Sequence, residues 1–195
     1  MEITTVQIKD LRDATGVSIM QCKKALEEAE GDVEKAQLLL RKQSSKIAGK
    51  KAGRTLGSGT VASYIHAGGT VGSMVELLCE TDFVAKNEEF QTIARDIAMQ
   101  IAATSPEFVN PDDIKEEDQM KVKELFTEEA EGKPAEIKEK IIQGKLDAYF
   151  AEKTLLLQPF IKDGNRTISN LLEEGTQKFG ERMEIGRIER FSILD

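Results

Sequence analysis

Residues 60–80 read TVASYIHAGGTVGSMVELLCE and carry a hairpin signal. Two runs rich in β-branched residues stand on either side of Gly68-Gly69, where glycine supplies the positive φ angles that tight hairpin turns require. The stretch therefore predicts a hairpin. A third strand candidate, MEIGRIERFSI at 183–193, completes a predicted antiparallel sheet of about three strands.

Three short helices are predicted before the hairpin. A capping box of Thr4 with Gln7 opens the first helix. Ser18 with Gln21 opens the second, and Asp32 caps the third. We predict a compact three-helix domain over residues 1–45. Its apolar residues at helical spacing are Ile8, Leu11, Cys22, Ala25, Leu26, Ala29, Val33, Ala36, Leu39 and Leu40.

A basic, glycine-containing stretch follows the bundle. Residues 44–59 carry four basic side chains and no acidic one. We predict a linker over residues 46–59 that is helical at first and then flexible. Phosphate contact is the alternative interpretation of its charge. A core domain is predicted over residues 60–195, so the fold class is α+β.

Long helices are predicted after the hairpin. Asn87 is placed to cap a helix whose apolar stripe is Phe90, Ile93, Ala94, Ile97 and Ile101. The segment from Glu107 to Glu139 contains twelve acidic residues and five lysines. It therefore carries a net charge of −7, nearly all of the chain's net charge of −8. We predict a projecting acidic helical arm at about 112–151, interrupted at Gly132. The apolar side of its second helix is predicted to be Ile137, Ile141 and Tyr149.

Composition and residue types argue against several functions. Outside the acidic segment the chain is nearly neutral, so direct binding of nucleic acid is not expected. No apolar run approaches the roughly 20 residues of a membrane helix and no signal peptide is recognisable, which indicates a cytoplasmic protein. One histidine and two distant cysteines cannot form a structural zinc site. Without a nucleophile beside a base or a phosphate-binding loop, we expect neither an enzyme nor a cofactor.

The segment that follows the second predicted strand is unusual. Residues 80–90 read ETDFVAKNEEF, which places Asp82 and Phe83 in a strand-to-helix turn, on neither element's regular face. Phe83 could pack back onto the following helix while Asp82 bonds nearby backbone. Alternatively, the pair is presented outward, where an aromatic ring beside a negative charge suits partner binding.

Three segments resemble the elongation factor Ts family. They are LRDATGVSIMQCKKALEEAEGDVEKA at 11–36, ETDFVAKNEEF at 80–90 and QPFIKD at 158–163, in the family's order. The resemblance implies a ubiquitin-associated-like N-terminal domain and a dimerisation-type core of antiparallel strands with flanking helices. It also implies guanine nucleotide exchange on elongation factor Tu, in its GDP-bound or nucleotide-free form.

The same resemblance implies the site residues. The turn that enters the GTPase and disturbs its magnesium site would be Thr81, Asp82, Phe83 and Val84. Lys23, in the family's Cys-Lys-Lys stretch, and His66, in the hairpin, would contact the same partner. The chain is similar to the shorter family members, with one core unit where the longest have two. A homodimer is therefore a further expectation.

Two other functions stay open from the residues alone. An adaptor would use the turn at Gly16 and Val17 to bind a ubiquitin-like partner, but this leaves the turn at Asp82 and Phe83 unexplained. An RNA- or ribosome-associated factor would use the basic residues of 44–59, and its affinity would fall steeply with salt.

Overall fold

The computed structural model of the chain describes residues 3–129 and 134–193, so the predicted interruption at Gly132 lies outside the described residues. The fold is α+β, as predicted, with a three-stranded antiparallel sheet and flanking helices. The residues group into two compact units. The first contains the described residues up to Ala62, Glu76–Ala94 and Ser169–Gly186; the second contains Ser63–Val75, Arg95–Ile168 and the described residues from Arg187.

The N-terminal segment forms α1 (Thr5–Thr15), α2 (Ile19–Glu28) and α3 (Val33–Lys51). All three predicted caps are confirmed. The side chain of Thr4 accepts a hydrogen bond from the backbone N–H of Gln7, and the side chain of Gln7 accepts one from the backbone N–H of Thr4. The side chains of Ser18 and Asp32, at the starts of α2 and α3, each accept from the backbone N–H three residues later. These side chains satisfy N–H groups that a helix leaves free at its start.

The core of this bundle is the predicted apolar face with one correction. Val33 is exposed, because it occupies the first turn of α3, directly after the cap. Ile8 and Leu39 are half-buried against the core. The buried residues are Leu11, Val17, Cys22, Ala25, Leu26, Ala29, Ala36 and Leu40.

The predicted hairpin is confirmed as β1 (Ser58–Ile65) and β2 (Val71–Cys79). Both glycines of its turn, Gly68-Gly69, have positive φ. The backbone N–H of His66 donates to the carbonyl of Val71 at 2.9 Å and closes the hairpin. Burial alternates along β2, as expected of a strand with one covered face. Its buried residues are Ser73, Val75, Leu77 and Cys79.

A short helix, α4 (Asp82–Ala85), connects β2 to α5 (Glu88–Thr104). Asn87 caps α5 as predicted, since its Oδ1 accepts from the backbone N–H of Glu89 at 2.8 Å. The predicted stripe of α5 is confirmed with Ile93 half-buried. Its fully buried members are Phe90, Ala94, Ile97 and Ile101. The sequence predicted an irregular turn where α4 lies.

Two further helices, α6 (Glu116–Glu129) and α7 (Ala135–Lys153), correspond to the predicted acidic arm. They pack on each other, but the predicted apolar side of α7 is wrong for Ile137 and Ile141. Ile137 is exposed and Ile141 is half-buried, because the packed side of α7 is centred one residue further round the helix. Tyr149 does pack on α6, with its ring edge-on to that of Phe126 at a centroid distance of 6.1 Å. The packed residues are Ile142, Leu146, Val122, Phe126 and Phe150.

The remaining elements are β3 (Pro159–Phe160), β4 (Asp163–Thr167), α8 (Ile168–Phe179) and β5 (Glu184–Ser192). β5 confirms the third predicted strand and joins the main sheet in the order β1-β2-β5, so β2 is central. β3 and β4 form a separate antiparallel pair that the sequence did not predict, because two residues are too few for alternation to be visible. Short 3₁₀ turns lie at Pro111–Asp113 and Leu155–Leu157.

The basic stretch is partly helical. α3 continues to Lys51, and residues 52–57 lead from it to β1. Within the first unit, Ser45 Oγ donates to Glu173 at 2.5 Å, and Lys51 donates to the carbonyl of Gly180. These contacts hold the end of α3 against α8 and its C-terminus. Division into domains at residues 45 and 59 stays a prediction.

Gly59 lies where the backbone of β2 passes close to β1. A Cβ at this position would lie 2.5 Å from the carbonyl oxygen of Leu77 and 3.1 Å from the Cα of Leu78. We expect Gly59→Ala to lower the free energy of unfolding by about 1–3 kcal/mol, because a strand must shift. Urea denaturation measures this.

Gly53→Ala is the matched control, since a Cβ there meets nothing within 4 Å. Its free energy of unfolding should change by less than about 0.5 kcal/mol. Equal stability of the two variants would contradict the close approach of the strands.

Candidate functional site

The short helix α4 turns two of its residues inward and two outward. Val84 and Ala85 are buried, whereas Asp82 and Phe83 are exposed. Successive residues of a helix point about 100° apart, so one turn that is anchored by its last two side chains directs its first two into solvent. Local apolar anchoring therefore places the predicted turn residues at the surface.

Phe83 is the clearest feature of this surface. Its side chain is 83% exposed, which resolves the two alternatives left by the sequence in favour of outward presentation. An exposed aromatic ring is stabilised when a partner covers it, because its apolar area then leaves water. The turn can therefore contribute apolar area to binding without being rearranged first.

Asp82 is paired locally. Lys86 Nζ, one helical turn later, donates to Asp82 Oδ2 at 2.6 Å. This hydrogen bond and the lysine charge hold the pKa of Asp82 below its ordinary value. Both side chains are about three-quarters exposed, at 75% for Asp82 and 76% for Lys86. The outward face of α4 therefore carries an ionised carboxylate beside the aromatic ring at neutral pH.

Thr81 occupies the N-cap position of α4, but its side chain does not cap the helix. Its Oγ1 donates to Glu181 Oε1 at 2.6 Å, and its backbone N–H donates to Glu181 Oε2 at 3.0 Å. Its carbonyl accepts from Cys79 Sγ at 3.2 Å and from the first closing N–H of α4. The backbone of Thr81 is therefore held at its N–H by Glu181 and at its carbonyl by Cys79 and α4.

Glu80 connects the turn to two distant segments. Its carboxylate accepts from the backbone N–H of Arg182 at 2.6 Å and from Arg54 Nη1 at 3.1 Å. The N–H of Arg182, followed by the hydrogen bond and charge of Arg54, holds the pKa of Glu80 below its ordinary value of 4.5. Arg182 Nη1 also donates to the carbonyl of Arg54 at 2.7 Å, so the three residues form a closed network.

The predicted contact Lys23 lies on the exposed face of α2. It forms a long ion pair of 3.8 Å with Glu27. In the described part of the chain, no hydrogen bond or ion pair connects it to the turn at 81–84. It is a separate feature of the first unit.

The predicted contact His66 belongs to the second unit, at the end of β1. Its side chain is exposed, and its Nδ1 lies 3.3 Å from the hydroxyl of Tyr64. The turn residues Thr81 to Val84, by contrast, all belong to the first unit.

Other candidate groups are used by the fold itself. Burial raises the pKa of the Cys22 and Cys79 thiols, which remain protonated and bond backbone carbonyls. Val17 is buried, and a Cβ on Gly16 would lie 3.1–3.3 Å from the side chain of Lys178. The turn that an adaptor would need is thus partly covered within its own unit.

The described residues 3–129 and 134–193 contain no group of three or more His, Cys, Asp or Glu side chains placed to hold a metal ion. The same residues contain no helix with the length and apolar character needed to span a bilayer.

Sequence reasoning missed the residues that support the turn. Glu181 and Arg182 lie about 100 positions after the residues that they contact, and Arg54 lies 26 positions before Glu80. No local pattern could reveal these pairs, because charged residues of both signs are common throughout the chain. The one sequence signal for this network was Glu80 itself, a glutamate directly before the Thr-Asp-Phe segment.

The Glu80 network predicts a specific response to acid. A group whose pKa is lowered by folding stabilises the fold above its unfolded pKa, and this contribution is lost as the pH falls through the lower folded pKa. The melting temperature of Glu80→Gln should therefore fall less steeply than that of the wild type on acidification below pH 4.5. Thermal denaturation across this range, followed by circular dichroism, measures both slopes.

Glu28→Gln, at an exposed position of α2, is the matched control and should retain the wild-type slope. Parallel curves for Glu80→Gln and the wild type would show that the carboxylate of Glu80 does not contribute in this way.

The chain is similar to a known family over almost its whole length. The family model described as Elongation factor TS matches residues 9–194. Elongation factor Ts of Carboxydothermus hydrogenoformans is 49% identical over 193 residues, which cover 98% of this chain and 89% of that relative. Elongation factor Ts of Maridesulfovibrio salexigens is 47% identical over 197 residues, which cover 100% of this chain and 96% of that relative.

A longer relative is equally similar. Elongation factor Ts of Thermosynechococcus vestitus is 48% identical over 195 residues, which cover 98% of this chain but 66% of that relative. The shared region therefore corresponds to this chain, while the relative has additional sequence.

Proposed function

The chain belongs to the elongation factor Ts family, and on this premise we propose that it is a guanine nucleotide exchange factor of translation elongation. It binds elongation factor Tu in the GDP-bound or nucleotide-free form and accelerates release of GDP, so that GTP can rebind. It acts in the cytoplasm and forms no covalent bond with its partner. The observation that carries the proposal is the outward presentation of Phe83 on α4.

Phe83 acts as the wedge in this mechanism. An aromatic anchor near the centre of an interface contributes strongly when the partner desolvates it fully. The next two residues, Val84 and Ala85, are buried and anchor the helix that carries the ring. The ring enters the GTPase next to the region that holds magnesium and the phosphates.

Asp82 acts on the polar groups around that magnesium ion. Magnesium bridges and neutralises the phosphates, so disturbing its ligands weakens retention of the nucleotide. Its carboxylate is ionised at neutral pH, with a pKa that Lys86 lowers further, and is suited to compete for these groups. Thr81, which precedes α4, and the buried Val84 complete the contact segment.

Exchange then follows from thermodynamic linkage. A factor that binds the nucleotide-free GTPase more tightly than the GDP-bound form lowers the affinity for GDP by the same ratio. No chemical step is required of this chain.

Lys23 and His66 extend the interface beyond the turn. Both side chains are exposed and lie on separate elements. Polar and charged groups at the edge of an interface contribute to association with the partner, so Lys23→Ala and His66→Ala should raise the protein concentration needed for half-maximal exchange. An unchanged concentration dependence would remove the substituted residue from the interface.

We also propose that two copies of the chain associate. Sedimentation velocity should detect a species of twice the 21.6 kDa chain mass. A single species at the chain mass at micromolar concentration would contradict a homodimer.

The wedge is tested by Phe83→Ala. We expect the stimulated release of GDP to slow by at least about tenfold, because a truncated hot-spot side chain costs about 2 kcal/mol or more. Stopped-flow release of a fluorescent GDP from elongation factor Tu measures the rate. The melting temperature should be unchanged, since the ring is exposed in the free protein.

Phe191→Ala is the matched control, because Phe191 is also exposed but lies on β5, outside the turn. It should retain the wild-type rate. A normal rate for Phe83→Ala, or an equal loss in both variants, would exclude a specific role for Phe83.

A further inference from the structure

The helix that presents Phe83 is too short to define its own orientation. α4 has four residues, and its N-cap residue Thr81 makes no side-chain capping bond. Isolated helices of this length are not stable, since nucleation fixes several residues for few hydrogen bonds. The orientation of Phe83 must therefore depend on contacts between α4 and the rest of the first unit.

Most of these contacts do not fix a direction. Val84 and Ala85 are held by apolar burial, which turns Asp82 and Phe83 toward solvent but, being non-directional, does not fix the angle of the peptide from which α4 begins. The pair of Asp82 with Lys86 spans one helical turn and moves with it. The thiol of Cys79 is a weak donor to the carbonyl of Thr81.

Glu181 makes the short and charged directional contact, whereas the bond from Gln91 Nε2 to the carbonyl of Ala85 is long, at 3.5 Å. Its two carboxylate oxygens accept the side-chain hydroxyl of Thr81 at 2.6 Å and the backbone N–H of Thr81 at 3.0 Å. Bidentate bonds to a charged acceptor are stronger than neutral ones and define an angle as well as a distance. They fix the peptide from which α4 begins.

The segment that carries Glu181 is itself held on both sides. Gly180 ends α8 with φ 73, and its carbonyl accepts from Lys51 of α3. The N–H of Arg182 donates to Glu80 at 2.6 Å. Glu181 therefore lies between two anchored residues, as a group that positions another must.

We infer that Glu181 is a positioning residue for nucleotide exchange: through its two hydrogen bonds to Thr81 it fixes α4 so that Phe83 is pre-oriented for the GTPase. This inference rests on the proposed function. Pre-orientation raises the rate because no ordering of the turn is needed when the partner binds. Glu181 itself makes no contact with nucleotide or magnesium in this mechanism.

The test uses an optical reporter in the full-length chain. The sequence contains no tryptophan, so Phe83→Trp introduces a single indole at the presented position. In this background we would make Glu181→Ala, which removes both bonds, and Thr81→Val, which removes only the hydroxyl. Glu181→Gln is the conservative variant, because its amide can accept from the N–H of Thr81 and donate to the hydroxyl.

Two quantities are measured on each variant. Time-resolved anisotropy of the indole reports local motion of the turn, without partner or nucleotide. Stopped-flow release of fluorescent GDP from elongation factor Tu is measured with the same substitutions in the chain that keeps Phe83, and saturating and subsaturating exchange factor separate the maximal rate from the half-saturating concentration. The melting temperature of each variant is recorded alongside.

We expect Glu181→Ala to lower the residual anisotropy of the indole and to reduce the maximal exchange rate by about tenfold, the equivalent of one hydrogen bond to a charged group. Thr81→Val should show a smaller change in the same direction, and adding it to Glu181→Ala should have no further effect, because the bond is already absent. Glu181→Gln should restore most of both quantities. Glu28→Ala, at an exposed position of α2, should change neither.

Unchanged anisotropy in the Phe83→Trp background and a rate within twofold of the wild type in the chain that keeps Phe83, for both Glu181→Ala and Thr81→Val, would overturn the positioning role. Failure of the proposed function gives a different result: the wild type itself would then leave GDP release unaccelerated, whatever the anisotropy shows.

Discussion

Val84 and Ala85 are buried beneath a single turn of helix, and their burial leaves the preceding Asp82 and Phe83 no place in the interior. A large aromatic side chain in water is unfavourable for a free protein, because its apolar area stays hydrated. The chain nevertheless keeps Phe83 exposed on an ordered element between β2 and α5. Such a local conflict with folding is expected at a functional site.

Apolar anchoring and polar bonds serve different purposes around this turn. Burial of Val84 and Ala85 anchors α4 to the core, while Glu181 and the Glu80 network fix the orientation of the two residues that precede the helix. The polar partners come from the stretch that follows α8 and from Arg54 in the basic stretch after α3. The charge of residues 44–59 is therefore used partly inside the first unit, at Lys51 and Arg54, rather than being wholly available for phosphate.

The features that could be predicted are those set by residues close to each other in the sequence. Caps such as Thr4 and Asp32, the glycine turn of the hairpin and the stripe of α5 are set by neighbours in sequence, and they were predicted. The apolar side of α7 was misplaced because Ile137 and Ile142 both fit a helical period, and only packing against α6 selects between them.

The candidate site shows the same limit. The residues of the turn could be named from the ETDFVAKNEEF segment, whose resemblance to elongation factor Ts was the strongest signal in the chain. The exposure of Phe83 could not be decided from sequence, since an aromatic residue in a turn packs inward or outward according to the space beneath it. Glu181 could not be found at all, because its bond to Thr81 spans 100 positions.

In the proposed mechanism the ring at position 83 enters elongation factor Tu beside its magnesium and phosphate site. Site-specific photo-cross-linking can locate the ring in the complex, with a photoreactive phenylalanine analogue at position 83 and mass spectrometry of the joined peptides. We expect cross-links to the GTPase segments that surround magnesium and the phosphates, with a yield that falls when excess GDP and magnesium are added. Cross-links confined to another surface of elongation factor Tu, or a yield insensitive to GDP and magnesium, would contradict this mechanism.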